Sequence, residues 1–125
     1  MSEDGRDTVL IIDDDSDFRD LIVALGQICA VPILTAADCH RGLQVIRQQR
    51  GRLKTILLDY FMPGMDPETC AKNVVEKAGA DVVVVLLTAA ADPGRRASRL
   101  NIRRWVSKPA DISVLTGLLI EGASR

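Results

Sequence analysis

Five short runs, each followed by residues that open a helical pattern, constrain this chain more than any other feature. They are Thr8 to Ile12, Pro32 to Ala36, Thr55 to Leu58, Val82 to Leu87 and Arg104 to Ser107. The first, third and fourth are nearly continuous in Val, Ile and Leu. That pattern belongs to strands buried on both faces of a parallel sheet, where polar alternation is not needed. Between the runs lie segments with apolar residues three and four apart, such as Phe18, Leu21, Ile22, Leu25 and Ile28, or Leu43 and Ile46. Ser16 and Asp38 stand where helix caps are expected, Asp66-Pro67 and Asp92-Pro93 place a carboxylate before a first-turn proline, and Asp111 precedes Ile112, Leu115, Leu118 and Leu119. Strands alternating with helices require right-handed crossovers and helices on both faces. The expected fold is α/β: a doubly wound three-layer sandwich, a five-stranded parallel sheet with five helices.

At 125 residues the chain has the size of one domain, so residues 1–125 are expected to form it, with no output domain. Apolar residues at 47% can supply a core. Sixteen basic against seventeen acidic residues leave a net charge of −1, which removes any bulk-charge argument for direct nucleic-acid or membrane binding. No apolar stretch approaches a membrane span, the acidic start is unlike a signal peptide, and a cytoplasmic location is expected. Cys29, Cys39 and Cys70 match neither a disulfide framework nor a zinc spacing and read as reduced thiols.

Ligand sites in such sheets form beyond the carboxyl ends of the strands. Asp13-Asp14-Asp15 follow the first run, Asp59 the third, Thr88 the fourth, and Lys108-Pro109 the fifth. Carboxylates brought together repel unless a cation lies among them, and a hard oxygen donor set points to Mg²⁺ rather than zinc. A carboxylate nucleophile beside Mg²⁺, with a lysine and a hydroxyl in reach, is equipped for phosphoryl transfer and an aspartyl phosphate.

With these residues in order, the whole chain resembles the receiver domain of two-component response regulators. Val9 to Asp15, Leu57 to Asp66, Leu86 to Ala89 and Val106 to Pro109 carry the resemblance. It implies a flavodoxin-like receiver fold and a non-enzymatic phosphoacceptor switch. Asp59 would accept the phosphoryl group, and Asp13, Asp14, Asp59 and the backbone carbonyl of Phe61 would hold Mg²⁺. Thr88 and Lys108 would contact the phosphoryl oxygens, the Lys108–Pro109 bond would be cis, and Trp105 would take the switch position, where the family more often has Tyr or Phe. The implied donor is a sensor histidine kinase or a histidine phosphotransfer protein. The output protein would dock on the Arg95, Arg96, Arg99 and Trp105 face. Asp15 reads instead as a helix-start charge.

Two alternatives share these residues. Asp13-Asp14-Asp15 also fits the Asp-x-Asp opening of haloacid-dehalogenase-type phosphatases, although only Asp111 and Glu121 follow Lys108 as acids and Asp59 is left without a role. A pseudo-receiver serving only as a docking module is the other.

Overall fold

The computed structural model describes residues 5–121. Strands β1 (Thr8–Ile12), β2 (Ile33–Ala36), β3 (Leu53–Asp59), β4 (Val83–Thr88) and β5 (Arg104–Ser107) alternate with helices α1 (Ser16–Cys29), α2 (Cys39–Gln49), α3 (Pro67–Ala78), α4 (Pro93–Arg99) and α5 (Ile112–Glu121). The strands pair in parallel in the order β2-β1-β3-β4-β5. This is the doubly wound sandwich expected from the alternation.

The continuous apolar runs are explained by two cores. Leu10, Ile12, Ile56, Leu58 and Leu86 point to one face of the sheet and meet Ile46 of α2, Ala71 and Val74 of α3, Ala97 of α4 and Leu100 just beyond it. Their neighbours Val9, Ile11, Leu57, Val85 and Leu87 point to the other face and meet Ile22 and Leu25 of α1 and Leu115 and Leu118 of α5. Odd and even positions are therefore both apolar in the central strands. α2 comes so close to β1 that a Cβ on Gly42 would stand 2.5 Å from Ile12 Cδ1.

Helix starts follow the expected chemistry with two changes. Asp15, not Ser16, caps α1, its carboxylate accepting from the backbone N–H groups of Asp17 and Phe18, while Ser16 is the first helical residue. Asp38 and Asp66 cap α2 and α3 as expected. Asp92 occupies the cap position of α4 but makes no side-chain cap hydrogen bond.

β3 starts two residues before the expected Thr55. Lys54 is buried in this extension, and its Nζ donates to the Leu119 carbonyl at 2.9 Å. Burial pushes the Lys54 amine below the ordinary lysine range, with Asp7 opposing the shift.

The cysteines overturn an expectation. Cys39 and Cys70 form a disulfide across a sequence separation of 31, and only Cys29 is a free thiol. Spacing could not reveal the pair because α2 and α3 are brought side by side by the crossover, not by sequence proximity. The bridge stands against reading Cys39 and Cys70 as reduced thiols, and Cys29 alone keeps that reading. Among the described residues no helix is long and apolar enough to cross a membrane.

Candidate functional site

The strand order reverses between β1 and β3, because the chain leaves β1 for β2 and returns on the other side. Such a reversal opens a crevice at the carboxyl ends of the two strands. Asp13 directly follows β1, Asp59 ends β3, Thr88 ends β4 and Lys108 directly follows β5. The backbone thus brings four side chains from four strands to one edge.

Asp13, Asp14 and Asp59 can each offer an oxygen such that all lie within 4.8 Å of one another. Asp13 is fully buried, Asp59 nearly so, and Asp14 is exposed. The Asp13 carboxylate is held twice: it accepts from Lys108 Nζ at 2.6 Å and from the Asp15 backbone N–H at 2.9 Å. Its carbonyl accepts from Arg19 Nη1 at 2.7 Å, which fixes the β1–α1 turn. Lys108 Nζ also lies 3.7 Å from Asp59 Oδ1 and 4.4 Å from the centre of the Phe18 ring.

Asp59 carries the consequence of this crowding. Burial first, then the charge of Asp13, raise its pKa to about 6; Lys108 opposes, Asp14 adds to the rise, and the Phe61 backbone N–H bonded to the carboxylate opposes it again. Acceptor-only oxygens that repel one another in a buried crevice form a donor set suited to a hard divalent cation. Asp111 is not among the gathered carboxylates, so the haloacid-dehalogenase arrangement gains nothing from the geometry.

Thr88 is fully buried at the end of β4, and its Oγ1 accepts from the Ala90 backbone N–H at 2.9 Å. The Lys108–Pro109 bond is cis, as expected. Gly64, at φ 106°, makes the turn that carries the chain from β3 to the Asp66 cap.

Trp105 is not brought to the site. The residue is 45% exposed and its indole lies against α4, so close that a Cβ on Gly94 would stand 3.2 Å from its Cζ2. The expected basic face is also divided. Arg95 is exposed, Arg99 pairs with Glu68 of α3 at 2.7 Å, and the Arg96 guanidinium lies over the rings of Tyr60 and Phe61. A free patch of three arginines is therefore not what α4 presents. Tyr60 is buried in the core, while Phe61 is half exposed. The Arg96 contact, the Phe18 contact with Lys108 and the Arg19 brace had no sequence signal, since each joins residues that only the packed helices bring together.

Residues 9–119 match the model of the response regulator receiver domain family. A protein-glutamate methylesterase/protein-glutamine glutaminase of Cereibacter sphaeroides is 31% identical over 113 residues, 87% of this chain and 30% of that protein. A Francisella response regulator receiver domain superposes with a TM-score of 0.81 at 20% identity, covering 96% of this chain and 98% of the other. The receiver domain of a Saccharomyces cerevisiae response regulator, solved with a histidine phosphotransfer protein, gives 0.80 at 18% identity, covering 96% and 90%. The chain spans between 13% and 40% of the length of the curated relatives it matches.

Proposed function

Because this chain belongs to the response regulator receiver domain family, whose members act as phosphoacceptor switches, we propose that Asp59 is its phosphoacceptor and that residues 1–125 work as one receiver unit. The observation that supports this most is the convergence of Asp13, Asp14, Asp59 and Lys108 at the β1/β3 crevice. The Asp59 carboxylate ends β3 at the crevice, where burial and then the charge of Asp13 raise its pKa to about 6, and its ionised form is the nucleophile of the reading.

Asp13, Asp14, Asp59 and the Phe61 carbonyl would hold Mg²⁺, which supplies charge neutralisation to the phosphoryl oxygens. The residues do the rest. An Asp59 oxygen bonds to phosphorus while the donor's P–N bond, or P–O bond in a small acyl phosphate, breaks and its electron pair leaves with the donor. The Lys108 ammonium lies near Asp59 and balances the added negative charge. The Thr88 hydroxyl donates to a phosphoryl oxygen. Phe61 and Ala90 offer no side-chain hydrogen bond to an attacking water, so slow hydrolysis is expected.

The donor would be a sensor histidine kinase or a histidine phosphotransfer protein, the class of partner seen with the yeast receiver. The output partner would be a protein reading the side of the molecule that holds Arg95 and Trp105, both exposed. A location in the cytoplasm, where such donors act, belongs to the same reading.

Incubation with acetyl phosphate and Mg²⁺ tests this. The expected result is uptake of one phosphoryl group per chain, absent without Mg²⁺ and absent in Asp59→Asn. Uptake unchanged in Asp59→Asn overturns the assignment, and sustained multiple turnover of p-nitrophenyl phosphate would instead make the chain a phosphatase.

A further inference from the structure

Tyr60 and Phe61 directly follow Asp59, and this short piece of backbone is tied to the site at both residues. The Tyr60 N–H donates to the Leu87 carbonyl at 2.9 Å, and the Phe61 N–H bonds the Asp59 carboxylate. β3 ends at Asp59, so no strand ladder holds Phe61. Its ring, half exposed, is restrained by contacts. One is Tyr60, edge to face with ring centres 4.9 Å apart. The other is Arg96 of α4.

The guanidinium carbon of Arg96 stands 5.1 Å from the centre of the Tyr60 ring and 5.6 Å from that of Phe61, and Nη1 donates to Tyr60 Oη at 3.2 Å. Arg96 Nε is buried with no hydrogen-bond partner. A charged group that gives up a hydrogen bond to hold a position is under a constraint that simple surface solvation would not impose. Three residues on, Arg99 binds Glu68 at 2.7 Å, which ties the same helix to the first turn of α3. α4 has seven residues and no side-chain cap; besides the buried Ala97, Arg96 and Arg99 tie it to the rest of the molecule.

We propose that Arg96 is a positioning residue for the phosphoacceptor site: by clamping the Tyr60 and Phe61 rings from α4, it sets the backbone that donates to Asp59 and carries the Phe61 carbonyl. Coupling of this kind is reciprocal, so occupation of the carboxylate site must in turn shift α4. Trp105 packs on Gly94 of that helix and reports the shift. The proposal rests on the reading of Asp13, Asp14 and Asp59 as a Mg²⁺ site.

The experiment is a calorimetric Mg²⁺ titration of the full chain with Trp105 emission followed in parallel, and a thermal melt for each variant. Arg96→Met is expected to weaken Mg²⁺ binding by about fivefold or more and to remove most of the emission change. Arg96→Lys, which keeps the charge but loses the planar face, should fall between. Phe61→Leu removes only the Phe61 part of the clamp and should weaken binding by no more than Arg96→Met, and the double variant should be no worse than Arg96→Met alone, because the Arg96–Phe61 contact is already lost in it. A fold defect alone would lower the melting temperature and leave the affinity of the folded protein unchanged. If Arg96→Met and Phe61→Leu bind Mg²⁺ like the parent while Asp13→Asn does not bind, the clamp is overturned and the metal site stands. Fully additive losses in the double variant also overturn it. If Asp13→Asn binds like the parent, the metal-site reading fails and the proposal falls with it.

Discussion

The centre of the sheet and its β5 edge are built on different terms. Every residue of β1 and β3 is buried, whereas β5 alternates half-buried and exposed and leans on a seven-residue helix without a side-chain cap. Asp13 and Asp59 come from the centre; Lys108 and Trp105 come from the edge. The chemistry needs carboxylates fixed to fractions of an ångström, and a strand packed on both faces provides that. A signal needs a surface that can shift at low cost, and weakly buried elements are where local opening is least costly. Lys108 joins the two regions, since its amine reaches back to Asp13 from the end of β5.

The largest expected effect sharpens this contrast directly. Leu57→Ala, at a fully buried position of β3, is expected to cost about 3–5 kcal/mol in urea unfolding. Trp105→Ala should cost less than half as much, despite the larger side chain. Equal losses would erase the distinction between centre and edge.

Next in size is the disulfide, which secures α2 to α3. Closing a loop of 31 residues restricts the unfolded chain, so reduction is expected to cost at most about 3–4 kcal/mol, and Cys39→Ser should reproduce the loss. A melt that is the same with and without reductant, with the bond shown intact beforehand, breaks this expectation.

The acidic crowding costs stability where it serves chemistry. Asp59 is raised in the folded state, so the folded protein binds its proton more tightly than the unfolded chain does. That contribution is present below the unfolded carboxyl pKa and is lost as pH rises through about 6. In Mg²⁺-free buffer at pH 7, Asp59→Asn should therefore be more stable than the parent by about 1–2 kcal/mol, after allowance for solvent screening. The gain should fade toward pH 4. A constant difference across that range would place its origin elsewhere.

The smallest effect compares two caps. Asp66→Ala removes the hydrogen bond to the Thr69 N–H and should cost about 1 kcal/mol. Asp92→Ala removes none and should change stability by less than about 0.5 kcal/mol. The reverse order would mean that α4 is capped in solution.

This division also decides what could be read from the sequence. β1 and β5 begin and end where the runs do, and Asp13, Asp59, Thr88 and Lys108 share one edge because parallel strands deliver their carboxyl ends there. A buried strand writes its identity in every residue. The apolar run starting at Thr55 does not show the true start of β3, because Lys54 is charged and only the Leu119 carbonyl on α5 explains how a lysine can lie inside. Pairing of Cys39 with Cys70, Arg96 over Phe61, and the outward Trp105 depend on which helix lands beside which. Residue type and spacing carry no record of that.

In the proposed reading Asp59, and no other carboxylate of the cluster, receives the phosphoryl group. Borohydride reduction of the acetyl phosphate-treated protein, followed by peptide mass mapping, tests it most directly, because an aspartyl phosphate is converted to homoserine where it stood. Homoserine is expected at position 59 alone, in a Mg²⁺-dependent amount. Homoserine at position 13 or 14, or none under conditions where phosphoryl uptake is complete, would contradict it.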